Sequence, residues 1–132
     1  MLVPADIEFA VAKYLEAAFA AQGWPAVPVG TKIRDDADSF VVAFTTGGPN
    51  RTLVSGEDRI VFDCYAEREL PAQQLAARVF ALIRDLDCRR VGGIQFYDVE
   101  PRKPANAPHP DKPALHRYQF NATIHARYLS GT

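Results

Sequence analysis

The chain has 132 residues, 48% of them hydrophobic and 23% charged, with a formal net charge of −1 at pH 7. That is the length of one domain with one core, at the ordinary composition of a globular protein. The near-zero charge excludes bulk attraction to nucleic acid or to an anionic membrane, and no run approaches the ~18–20 apolar residues of a membrane span.

The opening stretch lacks a basic leader, and Asp6, Glu8, Lys13 and Glu16 interrupt its apolar positions, so it reads as a helix and not as a secretory signal. Ile7, Val11, Tyr14, Leu15, Ala18 and Phe19 recur on one helical face. Pro4 suits the first turn, Asp6 and Glu8 favour the positive end of the dipole, and Gly23 suits the closing left-handed position. Pro25 and Pro28 then forbid helix, and Val27 to Ile33 reads as an edge-type strand. Phe40 to Thr46 and Arg59 to Glu67 read as strong strands, separated by the Thr45–Asn50 stretch "TTGGPN". Pro71 to Leu86 carries the apolar stripe of a second helix. "GGIQFYDVE" is a further strand. A long loop from Pro101 to Ala114 holds five of the ten prolines. Last, Tyr118, Phe120, Ala122, Ile124, Ala126 and Tyr128 alternate with polar residues, the period-two pattern of a strand with one wet face.

The order α-β-β-β-α-β-β predicts an α+β fold: a mostly antiparallel sheet of about four to five strands, with both helices on one face. Two helices leave the second face, with Val41, Ala43, Val61 and Tyr65 assigned to it, to water, a loop or a neighbour.

The search for chemistry returns little. "TTGGPN" leads into a strand and not a helix, and Pro49 removes a donor, so it lacks the parts of a phosphate-binding loop and reads as a hairpin turn. His109, His116 and His125 show no paired metal-ligand spacing. Ser39, Ser55 and Ser130 sit in no nucleophile elbow. Cys64 and Cys88 do not make a disulfide framework and read as two buried, reduced thiols. Cys88 lies near Arg89 and Arg90, but at a helix C-terminus, which disfavours the thiolate. "DDAD" (Asp35 to Asp38) is half of a calcium loop without its glycine or terminal Glu. The basic clusters at Cys88–Arg90 and Pro101–Lys103 lack interleaved aromatics for stacking bases. The sequence predicts no catalytic residue, no metal and no cofactor.

The layout taken whole carries more. A helix opened by "VPADIEFAVAKYL", then "FVVAFTTGGPN" turning into "DRIVFDCYAE", then "PAQQLAARVFALIRDL", then a proline-rich loop into "RYQFNATIHARY", resembles the small tail terminator proteins of long-tailed bacteriophages, from about Val3 to Tyr128. Related head–tail joining proteins share the plan. The resemblance implies a non-enzymatic virion assembly protein, made in the host bacterial cytoplasm. It implies a homo-oligomer, a hexameric ring on the head-proximal end of the tail tube that ends polymerisation. The implied partners are the chain itself, the tail-tube protein and a neck or head-completion protein, with DNA only as passing cargo. Interface candidates are Trp24, an aromatic anchor type; Gly47, Gly48, Asn50 and Arg51 in the hairpin; and Arg102, Lys103, His109, Asp111 and Lys112 in the loop, which is expected to be mobile alone and ordered against a neighbour. A connector of the neck, and a small α+β enzyme or ligand-binding domain using dispersed residues such as Asp63, Tyr65, His125 and Arg127, stay open as alternatives.

Overall fold

The computed structural model describes residues 1–110 and 114–131. The chain opens with β1 (Leu2–Val3) and α1 (Ile7–Gln22). Asp6, not Pro4, ends the approach to α1: its Oδ1 accepts the Phe9 N–H at 3.1 Å. At the other end Gly23, at φ 73°, lets the Gly23 and Trp24 N–H groups return to Ala20 and Phe19 carbonyls. Next come β2 (Val29–Gly30), β3 (Phe40–Thr45) and β4 (Ser55–Ala66). Helix α2 (Glu69–Arg84) starts two residues earlier than its periodicity predicts, because Pro71 still falls in the first turn, where an N–H has no partner. It is followed by β5 (Arg90–Val91), β6 (Ile94–Pro101), β7 (Ala105–Asn106), β8 (His116–Arg127) and β9 (Leu129–Ser130). Among the described residues no helix is long and apolar enough to cross a membrane.

The α+β class holds, and the long elements follow the expected order. The strand count does not. Among the described residues the main sheet has seven strands, in the order β2-β3-β4-β8-β6-β5 with β7 also on β8, and β1 pairs β9 in a separate two-stranded sheet. The added strands are two residues long. All pairings are antiparallel except β2 with β3, which run parallel. Expected from Val27 to Ile33, β2 contracts to two residues between its prolines and the "DDADS" turn.

Both helices pack on one face. Ile7, Val11, Leu15 and Phe19 of α1 and Leu75, Val79, Leu82 and Ile83 of α2 meet Ile60, Phe62, Phe120 and Ile124 of the sheet in one core. Register decides which residues of β3 join it. Val41 stands opposite Cys64 and Ala43 opposite Phe62, so both belong to the helix side. The second face instead receives Phe40, Val42 and Phe44, facing Tyr65, Asp63 and Val61. Val61 and Tyr65 were assigned correctly by alternation; Val41 and Ala43 were not.

The described part of the proline-rich segment is not a free loop. Arg102 N–H donates to Asn121 O at 2.8 Å, β7 pairs with Tyr118 and Gln119, and Ala107 N–H donates to Arg117 O at 2.9 Å. The segment follows the outer edge of β8 beyond β6, since β8 is longer than the strand beside it.

Candidate interaction surfaces

The β3–β4 connection is an arm. Beyond the regular ladder, Thr46 N–H donates to Arg59 O, Arg59 N–H to Gly47 O and Glu57 N–H to Pro49 O, and Asn50 bridges Gly56. "TTGGPN" therefore still runs beside β4. The reversal lies at Arg51–Val54, where the Arg51 and Thr52 N–H groups donate to Ser55 O. Gly47 takes φ 81°, and Gly48 lies so close to Glu57 that a Cβ would meet its carbonyl oxygen. Arg51 pairs with Glu57 at 2.6 Å and approaches Asp98 at 3.8 Å, and the Tyr128 hydroxyl donates to Asn50 Oδ1. At the tip Leu53 is 95% exposed.

At the base of the arm Ser55 Oγ and His125 Nε2 lie 2.7 Å apart, with Asp98 3.9 Å from the other ring nitrogen. This is the residue set of nucleophilic hydrolysis, brought together across 70 positions in sequence. Its geometry is structural. Ser55 is 2% exposed, its oxygen also bonds the Thr52 hydroxyl at 2.7 Å, and the Asp98 contact exceeds a hydrogen bond. The trio ties the arm to β8 and β6. The dispersed set fares no better: Asp63 stands opposite Gln119 and His125 opposite Glu57, about 20 Å apart along the strands. Of the two thiols expected to be buried only Cys64 is; Cys88 is exposed in the turn after α2. Burial pushes the Cys64 thiol up, with Asp63 adding to it, and Asp87 beside Cys88 raises that thiol too, so both are poor nucleophiles. Among the described residues no group of three or more His, Cys, Asp or Glu side chains is placed to hold a metal.

On the second face Phe40, Val42 and Tyr65 form a small core of their own, with Ala37, Phe44 and Leu115 against it. Phe40 and Tyr65 stack at 4.6 Å, and the His109 ring lies 6.5 Å from Tyr65. Arg117 Nε donates to Ala107 O at 2.6 Å and its Nη1 lies 3.7 Å from Asp63. The described part of the loop is thus ordered on its own chain. Arg102 and Lys103 are exposed, while Asp111 and Lys112 lie outside the described residues. Trp24 is half-buried, packed edge-on against Phe19 at 5.2 Å with the Arg78 guanidinium 5.0 Å from its ring.

Burial raises the Asp63 pKa above its ordinary value, opposed by Gln119 and Arg117. The fold then holds a proton there more tightly than the unfolded chain does, so stability falls as pH rises from the ordinary Asp value of ~3.9 through the raised one. Asp63→Asn lacks that titration. Thermal melts from pH 3 to 7 should show the Asn variant gaining on the parent across that window; a constant difference would refute the assignment.

A groove of about 510 Å³ opens beside α1, lined mainly by Phe9, Ala10, Tyr14, Val91, Ile94 and Leu129. Its end of the molecule also carries the paired β1 and β9, with exposed Met1 and Leu2, and the arm tip, since Tyr128 N–H donates to Val54 O. Exposed apolar side chains gathered at one pole mark a surface for a partner. Leu53 and Phe9 carry no motif, and only their exposure singles them out.

The fold is similar to that of a virion component. A chain in the virion of a native gene transfer agent particle matches with a TM-score of 0.60 at 15% identity, over 92% of this chain and 93% of that chain. No family model and no curated protein matches. At such identity the likeness is one of fold, and it extends over most of both chains.

Proposed function

We propose that the chain is a non-enzymatic virion protein that closes into a ring, a hexamer by the resemblance, on the head-proximal end of a phage-type tail tube. There it ends tube growth and presents the joint to a neck or head-completion protein, with DNA passing through. The observation that carries this reading is the fold shared over 92% of the chain with a virion chain, set beside the resemblance of the sequence to tail terminator proteins. The apolar pole supports it, since Met1, Leu2, Phe9 and Leu53 are all exposed there, and a gathered apolar surface suits a partner. Buried Ser55 is consistent with it, because the Ser55–His125 pair described above is closed to substrate.

The test is tube assembly with and without the protein. A terminator narrows the length distribution of tubes and appears at one end by electron microscopy. Binding to a neck protein with no effect on tube length would identify a connector instead, and unchanged tubes with no end-bound density would reject the proposal.

Leu53→Asp separates surface from stability. Its side chain touches almost nothing, so unfolding free energy should stay within about 0.5 kcal/mol of the parent. Burying a carboxylate at the contact should abolish end binding. Full end binding by the Asp variant would remove the arm tip from the interface.

A further inference from the structure

From Arg102 to His109 the chain forms a strap along β8. Pro104 and Pro108 supply no N–H, so the strap cannot zip onto its neighbour as a full strand. Its backbone holds are few: the Arg102 N–H on Asn121 O, the two-residue β7, and the Ala107 N–H on Arg117 O. Its far end reaches the small core of the second face, where the His109 ring lies 6.5 Å from Tyr65.

One side chain joins the strap to the sheet. Arg117 Nε donates to Ala107 O at 2.6 Å, and Nη1 pairs with Asp63 Oδ2 at 3.7 Å. Asp63 is 6% exposed, and its other oxygen accepts from Gln119 Nε2 at 2.6 Å. Among the described residues the charges acting on it are Arg117 and, from the strap itself, His109. Across the ladder on β3 stands apolar Val42. The turn that brings Ala37 to the same small core carries Asp35, Asp36 and Asp38, all exposed, with Asp36 paired to Arg34. The Arg117 side chain is only 16% exposed. Beside a neutral Asp63 it is a buried cation without a countercharge, a costly arrangement. Turning the guanidinium out to water relieves that cost and takes Nε away from Ala107.

We infer that Asp63 is a proton-operated catch for the proline-rich strap: ionised, it holds Arg117 against Ala107 and the strap against the second face; protonated, it lets both go. Linkage fixes the direction. Arg117 and His109 each lower the pKa of Asp63, so proton uptake by Asp63 weakens the hold on each of them in equal measure. Burial outweighs both and leaves that pKa above its ordinary value, so release begins at a higher pH than an ordinary Asp would give. The same proton removes the burial cost of the carboxylate and steadies the fold as a whole. Strap and fold therefore respond to acid in opposite directions, which separates this device from acid unfolding.

The experiment uses the full chain and hydrogen exchange read by NMR from pH 7 to pH 3, corrected for intrinsic rates. The Asp63 carboxyl carbon resonance gives the midpoint, and thermal melts check folding. In the parent, protection of the Ala107 amide should fall at least about tenfold as Asp63 takes its proton, the scale of one hydrogen bond to a charged group, while the amides of β4 keep theirs. Asp63→Asn should show the lower protection at every pH. Constant Ala107 protection in the parent overturns the inference. So does an equal acid loss in Asp63→Asn, or a loss that the β4 amides share. The parent titration decides by itself if the Asn variant does not fold.

Discussion

Phe62→Ala is expected to cost about 3–5 kcal/mol, the range for emptying a buried aromatic site. Phe62 is 0% exposed at the centre of β4. Directly across the ladder it stacks on Phe120, with ring centroids 4.8 Å apart and planes at 17°. Phe80 of α2 meets Phe120 edge-on at 5.9 Å, so the same group of rings joins the helix layer to the sheet. Aromatic pairs add about 0.5–1.5 kcal/mol beyond burial, and the alanine variant loses one pair outright. A domain of this size holds about 5–15 kcal/mol in all, which leaves the variant close to unfolding at 37 °C. Urea titration followed by circular dichroism measures the loss, with Phe62→Leu as the milder comparison. A loss under about 1 kcal/mol would mean that the ring cluster does not join the layers.

The second large effect is expected at Gly48. A Cβ there would lie 2.2 Å from the Glu57 carbonyl oxygen and 2.8 Å from its carbon. Both are backbone atoms of β4, which is itself paired along its length with β8, so neither side can yield by rotating a side chain. Gly48→Ala should cost about 1–3 kcal/mol by overpacking and push the arm away from β4. Gly30 is the control: nothing lies within 4 Å of its added Cβ, and Gly30→Ala should be neutral or stabilising by up to about 1 kcal/mol. Beyond the melting shift, hydrogen exchange should show lost protection at the Glu57 and Arg59 amides, which donate to Pro49 and Gly47. Equal behaviour of the two alanine variants would contradict the close approach.

The large elements were legible because each carries a local signal. The stripe from Ile7 to Phe19 and the alternation from Tyr118 to Tyr128 need no partner to be read. The two-residue strands carry no period, and exist because a neighbour's edge was there to pair with. The face of β3 could not be read either: its residues are apolar on both sides, and only the pairing of Val41 with Cys64 and of Phe40 with Tyr65 assigns them. Gly-Gly-Pro-Asn has turn chemistry, yet the reversal falls at Arg51–Val54, which has neither Gly nor Pro. There Thr52 Oγ1 accepts the Val54 N–H at 3.1 Å and supplies the turn locally. The Ser55–His125 contact was invisible because no local pattern joins residues so far apart. Of the interface candidates, the glycines and Asn50 fall on the arm and Arg51 at its turn, Arg102 and Lys103 are exposed just past the end of β6, and Trp24 spends part of its surface inside.

Strand β8 lies between β4 and β6, though it follows both of them in the chain. Until His116–Arg127 emerges, the flanks of β4 and β6 that it will cover stand bare, and the aromatic cluster lacks Phe120. Folding to the full sheet must therefore wait until β8 has been synthesised. During that interval the nascent chain is at its most vulnerable to clumping and most in need of chaperones.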